Sequence, residues 1–373
     1  MLTSLKLTNF RSFRSFSIEK LARVNLFVGV NNAGKTCVLE GAELLLSGGD
    51  PRVLLRSARR RGETLLSEEP RETQVDVRHL FHGHILAPGA QFSLEGKQDG
   101  DRLVAGEVVV ATERDPEPIE SPKADHSDQL ELPVETPNTE DLPAFSFQLI
   151  GPRFGNRAQK LRLSSLGGLA IPLILSSRLN ANVKDERPVR FLGTDAFNSS
   201  DLSPLWDELV LTAEEDSAVN ALRLIEPSIE RIALASRFSG SRGAFFIKLS
   251  SSNQRLPLGS MGDGVKRLLA LSLHLARSAG GSLMIDEVDT GLHYSVMVRM
   301  WRLVIETAKR LDLQVFASTH SLDCILALAE LYEQAPELGG ELLLHRVERG
   351  EQTPMTYTAD ELHVAAEQHM EVR

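Results

Sequence analysis

The eight residues Gly29-Val30-Asn31-Asn32-Ala33-Gly34-Lys35-Thr36 constrain this 373-residue chain more than any other feature. They fit the pattern G-x-x-x-x-G-K-[ST]. The apolar, β-rich run Val24–Val28 precedes them, and Val38, Leu39, Ala42, Leu45 and Leu46 follow at helical spacing. In that strand–loop–helix setting the glycines let backbone N–H groups turn inward around phosphate oxygens, and the helix N-terminus adds its positive end. Lys35 is then placed to reach the β/γ oxygens, and the Thr36 hydroxyl to join a magnesium shell. Gly29, Asn31, Asn32, Ala33, Gly34, Lys35, Thr36 and the adjoining Cys37 are therefore expected to line nucleotide phosphates in an α/β fold.

A second signal lies far along the chain. Leu283-Met284-Ile285-Asp286-Glu287 is an apolar strand ending in two acids, 250 residues after Thr36. At the carboxyl edge of a parallel sheet, Asp286 can hold magnesium and Glu287 can polarise an attacking water. Gly291-Leu292-His293 follows, and past one more helix and strand comes Ser318-Thr319-His320, which puts His320 beside a γ-phosphate or that water. The third element, Gly259-Ser260-Met261-Gly262-Asp263-Gly264, opens a strongly apolar helix and is a second glycine-rich phosphate-binding end. Two such loops so far apart suggest that one completes the other's site across a dimer.

Charge and composition exclude several classes. Residues 113–141 hold ten acids, two bases and five prolines, and so carry most of the net charge of −10. With no aromatic residue, such a segment cannot bury enough apolar surface to offset its ordering entropy, so a disordered insertion is expected. The rest of the chain is near neutral. Arg52, Arg56, Arg59, Arg60 and Arg61 form a local basic cluster, read either as a solvated helix face or as phosphate contacts. The longest nearly uncharged apolar stretch, 166–175, is about half a membrane span, and the N-terminus lacks a secretory signal. Cys37 and Cys324 are too few for a disulfide framework or a zinc finger. A cytoplasmic enzyme without a membrane partner is expected.

Short strands are read at 75–77, 91–94, 107–110, 145–150 and 171–175, and a helical pattern from Asp201 to about Arg237. A β/α alternation then runs through 265–277, 283–285, 296–311 and 314–317, with a closing hairpin at 341–347 and 355–357 and a last helix from Ala359.

The order Lys-x-x-Asn-Phe-Arg-Ser-Phe, phosphate loop, Ser-x-Gly-x-Gly, strand-Asp-Glu, Gly-Leu-His and Ser-Thr-His resembles ABC-type ATPase heads. The likeness is to the RecF, SMC and OLD (overcoming lysogenization defect) groups, and especially to stand-alone AAA-family bacterial ATPases linked to anti-phage defence. It implies a P-loop NTPase with a mixed sheet core, an antiparallel β subdomain and a helical lobe, binding ATP and Mg2+. One head would span 1–373. An N-terminal lobe at 1–175 would carry the loop and a disordered acidic insertion at 111–143. A helical lobe or insertion would take 176–258, and the signature, metal-site acids and switch histidine would lie in 259–373. By the resemblance Glu287 activates water and His320 is the switch histidine, while Thr36 and Asp286 serve the metal. Asn31 matches the family's loop asparagine, and Arg11 an arginine near the nucleotide. Ser260 and Gly262, with Asp263 and Gly264, would contact the γ-phosphate of ATP held by another subunit. Gln74 is the candidate for the magnesium-sensing glutamine. The signature departs from the transporter's Leu-Ser-Gly-Gly-Gln, and with about fifty residues after His320 a nuclease domain like that of OLD proteins is not expected.

The function expected is an ATP-hydrolysing switch that dimerises head to tail and controls a separate effector protein, a nuclease or toxin, in anti-phage defence. The alternative is a RecF-like repair ATPase that binds nucleic acid. A scaffold that holds ATP without turning it over is disfavoured by Glu287 and His320. The segment 202–236, with Trp206 and Leu209, is expected to face either a partner or the core.

Overall fold

In the computed structural model the chain is described at residues 1–66, 73–87, 89–98, 108–114, 145–150, 159–163, 168–170, 187–194, 199–235, 244–252, 254–368 and 370–372. The N-terminal apolar residues form a hairpin, β1 (Leu2–Phe10) and β2 (Phe13–Ile18), closed at Arg11 and Ser12. The third run, β3 (Val24–Val28), is buried at every residue. The loop leads from it into α1 (Lys35–Leu46), which ends at Gly48 and Gly49, both with positive φ. The Asp50 side chain caps α2 (Pro51–Arg61), which opens on proline. Next come β4 (Thr64–Leu66), β5 (Thr73–Asp76), β6 (Gln91–Gln98) and β7 (Val108–Arg114). After them lie β8 (Phe145–Ile150), β9 (Gln159–Arg162), β10 (Gly168–Ala170) and β11 (Val189–Leu192). Helices α3 (Ser199–Asp207) and α4 (Ala213–Leu222) precede the antiparallel strands β12 (Ile229–Ala235), β13 (Ala244–Leu249) and β14 (Arg255–Pro257). The C-terminal third alternates α5 (Asp263–Arg277), β15 (Ser282–Ile285), α6 (Tyr294–Arg310), β16 (Gln314–Ser318) and α7 (Leu322–Gln334). It closes with β17 (Leu342–Arg346), β18 (Met355–Thr358) and α8 (Ala359–Glu367), which a Thr358–Glu361 capping box starts.

The central sheet runs β11-β15-β16-β3-β17-β18, parallel except for the last pair. Its side chains sort with a period of two between two cores. Val24, Leu26, Val28, Leu283, Ile285, Val315 and Ala317 join one core with residues of α3 to α8. Phe27, Met284 and Phe316 join the other, with residues of α1, α2, β1, β2 and β6. Burial on both faces explains why these strands read as continuous apolar runs. The sheet order also brings the carboxyl ends of β15, β16 and β3 side by side, the position where open α/β sheets bind ligands.

The expected mixed core and antiparallel subdomain, β2-β1-β6-β7-β8-β9, are present. Several boundaries are corrected. The helical pattern expected to about Arg237 stops at Leu222, hydrogen-bonded turns follow to Glu226, and Pro227, with no N–H, ends them; Ile229–Ala235 is a strand paired with β13. A helical lobe at 176–258 would also detach β11 from the central sheet to which it belongs. Leu202, Leu205, Trp206 and Leu209 are buried, with Trp206 edge-on to Phe245 at 5.8 Å, so this helix pair serves the core. Within the expected insertion 111–143, residues 111–114 belong to β7, which pairs with β8 in a register that sets Arg114 opposite Phe145. Residues 115–143, and the strand expected at 171–175, lie outside the described residues. Among the described residues no helix is long and apolar enough to cross a membrane.

Three arginines of the basic cluster, Arg56, Arg59 and Arg61, are exposed on α2, and four of the five pair with acids. Arg52 pairs with Asp50, Arg56 and Arg60 with Glu43, and Arg61 with Glu40. Glu40 and Glu43 are 2% and 0% exposed. Arg11, also buried, completes the network: its guanidinium lies 2.8 Å from Glu40 Oε2, 2.8 Å from Glu63 Oε1 and 2.8 Å from Ser57 Oγ. Burial alone would raise the Glu40 carboxyl, but Arg11 and Arg61, with hydrogen bonds from Arg61 and Ser57, hold it below its ordinary value. A depressed carboxylate contributes stability above its unfolded value that is lost as pH falls through the folded one. Glu40→Gln is therefore expected to lower unfolding free energy at pH 7 by about 3 kcal/mol, since it leaves the buried Arg11 guanidinium with Glu63 as its remaining described carboxylate. Urea titrations should show the gap to wild type narrowing as pH falls below ~4.3. A pH-independent gap would contradict this account.

Candidate functional site

The residues after β3 turn back on themselves to start α1. Gly29 has φ +144°, and a β-carbon there would come within 2.3 Å of the Val347 carbonyl oxygen. Gly34, the N-cap of α1, has φ +107°, and a β-carbon would strike the Phe13 ring at 2.5 Å. Both positions therefore require glycine. The β1–β2 turn thus forms one wall of the loop. Asn31, Asn32 and Val30 are exposed, whereas Ala33 and Cys37 are buried.

Lys35 is 6% exposed, and its ammonium donates to the carbonyls of Gly29 at 2.8 Å and Val30 at 3.1 Å. Burial lowers its pKa, against the raising effect of Glu287 and Asp286. An ammonium that donates to loop carbonyls, at a helix N-terminus without acids in its first turn, is arranged to receive an anion. Thr36 Oγ1 lies 3.1 Å from each carboxylate oxygen of Asp286, across 250 residues of sequence. A hydroxyl and a carboxylate facing each other form the hard-oxygen donor set that suits Mg2+.

The acids are fixed by β16. Ser318 Oγ donates to Asp286 Oδ1 at 2.6 Å and accepts from the Glu287 amide at 2.9 Å, and the Val288 amide donates to the Ser318 carbonyl. Glu287 has φ +48°, a conformation costing roughly 1–3 kcal/mol in a non-glycine residue. Its carboxylate Oε2 is 2.6 Å from His320 Nδ1. Thr319 Oγ1 donates to Asp289 Oδ1 at 2.5 Å. Each expected strand-end residue thus joins one cluster: Lys35, Thr36, Asp286, Glu287 and His320.

The second glycine-rich loop forms a tight turn ending at Gly262, φ +86°, from which Asp263 opens α5. Ser260, Gly262 and Asp263 are exposed. Gly264 packs so closely on the Gly291 carbonyl that a β-carbon would lie 2.9 Å from it, so the loop abuts the Gly291-Leu292-His293 segment. His293 caps α6, with Nδ1 2.9 Å from Ser295 Oγ.

Two further expected residues, Arg11 and Gln74, lie on other elements. Arg11 lies behind the loop, where its guanidinium is held by Glu40, Glu63 and Ser57 and joins α1 to α2, and it also borders the cleft beside the loop. Gln74 sits on β5 between Leu65 and Ala170, its side chain turned onto Gly168, and the contacts of Thr36 and Asp286 given above do not include it. The sequence reading gave no role to Ser318, to the Thr319–Asp289 pair or to Arg267. The Asp-x-x-Asp spacing from Asp286 to Asp289 is the signal that could have found Asp289. A cleft of about 900 Å³ adjoins the loop, bordered by Asn9, Ser12, Arg14, Asn32, His82 and Gln352, and its size suits a nucleotide-sized ligand.

Several known proteins resemble this chain. Residues 151–326 match a family described as "AAA domain, putative AbiEii toxin, Type IV TA system", and residues 1–77 match "AAA ATPase domain". The chain is 22% identical over 374 residues to an "ATP/GTP phosphatase" of Helicobacter pylori, covering 90% of this chain and 89% of that protein. A 94-residue stretch is 35% identical to the DNA replication and repair protein RecF of Acidothermus cellulolyticus, covering 25% of this chain and 22% of that protein. Among solved structures, an SMC head bound to the C-terminal winged-helix domain of ScpA is similar, with a TM-score of 0.52 and 14% identity. The match covers 96% of this chain and 98% of that one.

Proposed function

We propose that this chain, an ABC-type ATPase head of the SMC/RecF-like group, is an ATP-dependent switch whose two copies close head to tail on two ATP molecules and open after hydrolysis. The observation that carries the reading is the pairing of a nearly complete hydrolytic cluster with an exposed second glycine-rich loop. Lys35 and the loop amides would hold the β- and γ-phosphates, and Thr36 and Asp286 would hold Mg2+, which when bound neutralises charge on the phosphates. Glu287 would accept the proton of the attacking water, and His320 at 2.6 Å would orient that carboxylate. Ser260 and Gly262 of a second copy, with Asp263 and Gly264, would complete the site over the γ-phosphate.

In this reading the switch acts in the cytoplasm on a separate effector protein, in anti-phage defence. The family match described as a putative AbiEii toxin, Type IV TA system, supports a defence setting. The RecF-like alternative draws on the 35% identical stretch, but four of the five arginines that would have met a duplex are paired with buried acids.

Ser260→Arg tests the shared site, because it places a bulky cation where the second copy must approach. Steady-state phosphate release with Mg2+ should fall about 10²-fold, the scale of one lost transition-state contact, while single-site ATP affinity stays within twofold. Turnover near wild type in this variant would refute the shared site.

A further inference from the structure

Arg267 is among the largest fully buried side chains, 1% exposed, yet its described hydrogen bonds go to main-chain carbonyls. One terminal nitrogen donates to the Gly193 carbonyl at 2.9 Å, just past the end of β11. The other donates to the carbonyls of Asp286 at 2.8 Å and Glu287 at 2.7 Å. A planar guanidinium can bind these three oxygens at once, which a single ammonium cannot match. The two last carbonyls belong to the turn in which Glu287 takes φ +48°. From the other side, the Glu287 amide is held by Ser318 Oγ. The turn is therefore clamped between β16 and α5.

The position of Arg267 on α5 gives the clamp a second connection. It lies one helical turn beyond Gly264, the last residue of the exposed glycine-rich loop, and Gly264 itself packs on the Gly291 carbonyl. A shift of the first turn of α5 therefore bears both on the segment after Glu287 and, through Arg267, on the Glu287 carbonyl. Burial lowers the Arg267 pKa to about 10, against the raising effect of Asp289, Asp286 and Glu287, so the clamp stays charged at neutral pH.

We propose that Arg267 is a positioning residue that holds the Glu287 turn in its left-handed conformation and transmits engagement of the Ser260–Gly264 loop to the hydrolytic carboxylate. The inference rests on the head-to-tail reading above only for its second half; the clamp itself is a property of one chain.

Two variants test it, Arg267→Met, which removes every donor, and Arg267→Lys, which keeps the charge without the fork. Misplacing Glu287 should lower kcat about 10²-fold in Arg267→Met, with the KM for ATP within twofold and partial recovery in Arg267→Lys. A kcat within threefold of wild type in Arg267→Met, or kcat and ATP affinity lost together in Arg267→Lys, would overturn the proposal. Hydrogen exchange without nucleotide supplies a readout that needs no turnover. In Arg267→Lys, amides at 286–293 and 259–264 should exchange at least tenfold faster while those of the β1–β2 hairpin stay unchanged. A uniform rise across the chain, or no change at 286–293, would overturn it. If wild-type protein released no phosphate, the ATPase reading would fail, and the exchange measurement would still decide whether Arg267 clamps the turn.

Discussion

Replacing Glu287 by glutamine should lower ATP turnover by about 10²–10⁴-fold while leaving ATP binding within twofold of wild type. The expected size follows from what the carboxylate alone can do. Its Oε2 sits 2.6 Å from His320 Nδ1, and its backbone is held at φ +48° by Ser318 and Arg267. Glutamine keeps the shape and can still pair with the imidazole, so the fold and the phosphate contacts persist. It cannot accept a proton from water, so the step that needs a base is lost. Phosphate release measured alongside nucleotide binding separates the two effects. Turnover within threefold of wild type would remove Glu287 from the base role.

Lys35→Met should weaken ATP binding by about 10- to 10²-fold, the larger effect on affinity. The ammonium is 6% exposed and satisfied by the Gly29 and Val30 carbonyls at 2.8 and 3.1 Å, so it is pre-positioned for an incoming phosphate. A hydrogen bond from a charged donor is worth roughly 1.5–3 kcal/mol, and methionine preserves the packing of the stem while removing all three donors. Fluorescent-nucleotide titration should show the loss with the thermal midpoint within a few degrees of wild type. Unchanged affinity would mean that the loop is not the nucleotide site.

The parts of this site that could be read in the sequence are those whose chemistry is local. The phosphate loop carries its strand, glycines, lysine and hydroxyl in a single stretch. Asp286-Glu287 and Ser318-Thr319-His320 each follow an apolar strand, and a two-faced parallel sheet makes such strands conspicuous. Their convergence could be anticipated because parallel strands bring their carboxyl ends to one edge. What the sequence concealed depends on partners distant in the chain. Nothing beside Arg11 in the sequence announces Glu40, Ser57 and Glu63, which close around its guanidinium. The arginines of α2 face solvent as their pattern implies, but the buried acids of α1 that pair with Arg56, Arg60 and Arg61 leave no trace in that pattern. Ile229–Ala235 continues an apolar pattern that fits a helix, and Pro227 with the pairing to β13 decides for a strand. Arg267 looks like one more cation on an amphipathic helix, since main-chain carbonyl acceptors leave no trace in side-chain patterns.

Light scattering on size-fractionated Glu287→Gln protein, with and without ATP and Mg2+, tests the head-to-tail closure most directly. The account predicts twice the chain mass with ATP at micromolar concentrations, the chain mass without it, and no ATP-dependent doubling once Ser260→Arg is added. A mass that stays at that of one chain with ATP bound, or an ATP-induced dimer indifferent to Ser260→Arg, would contradict it.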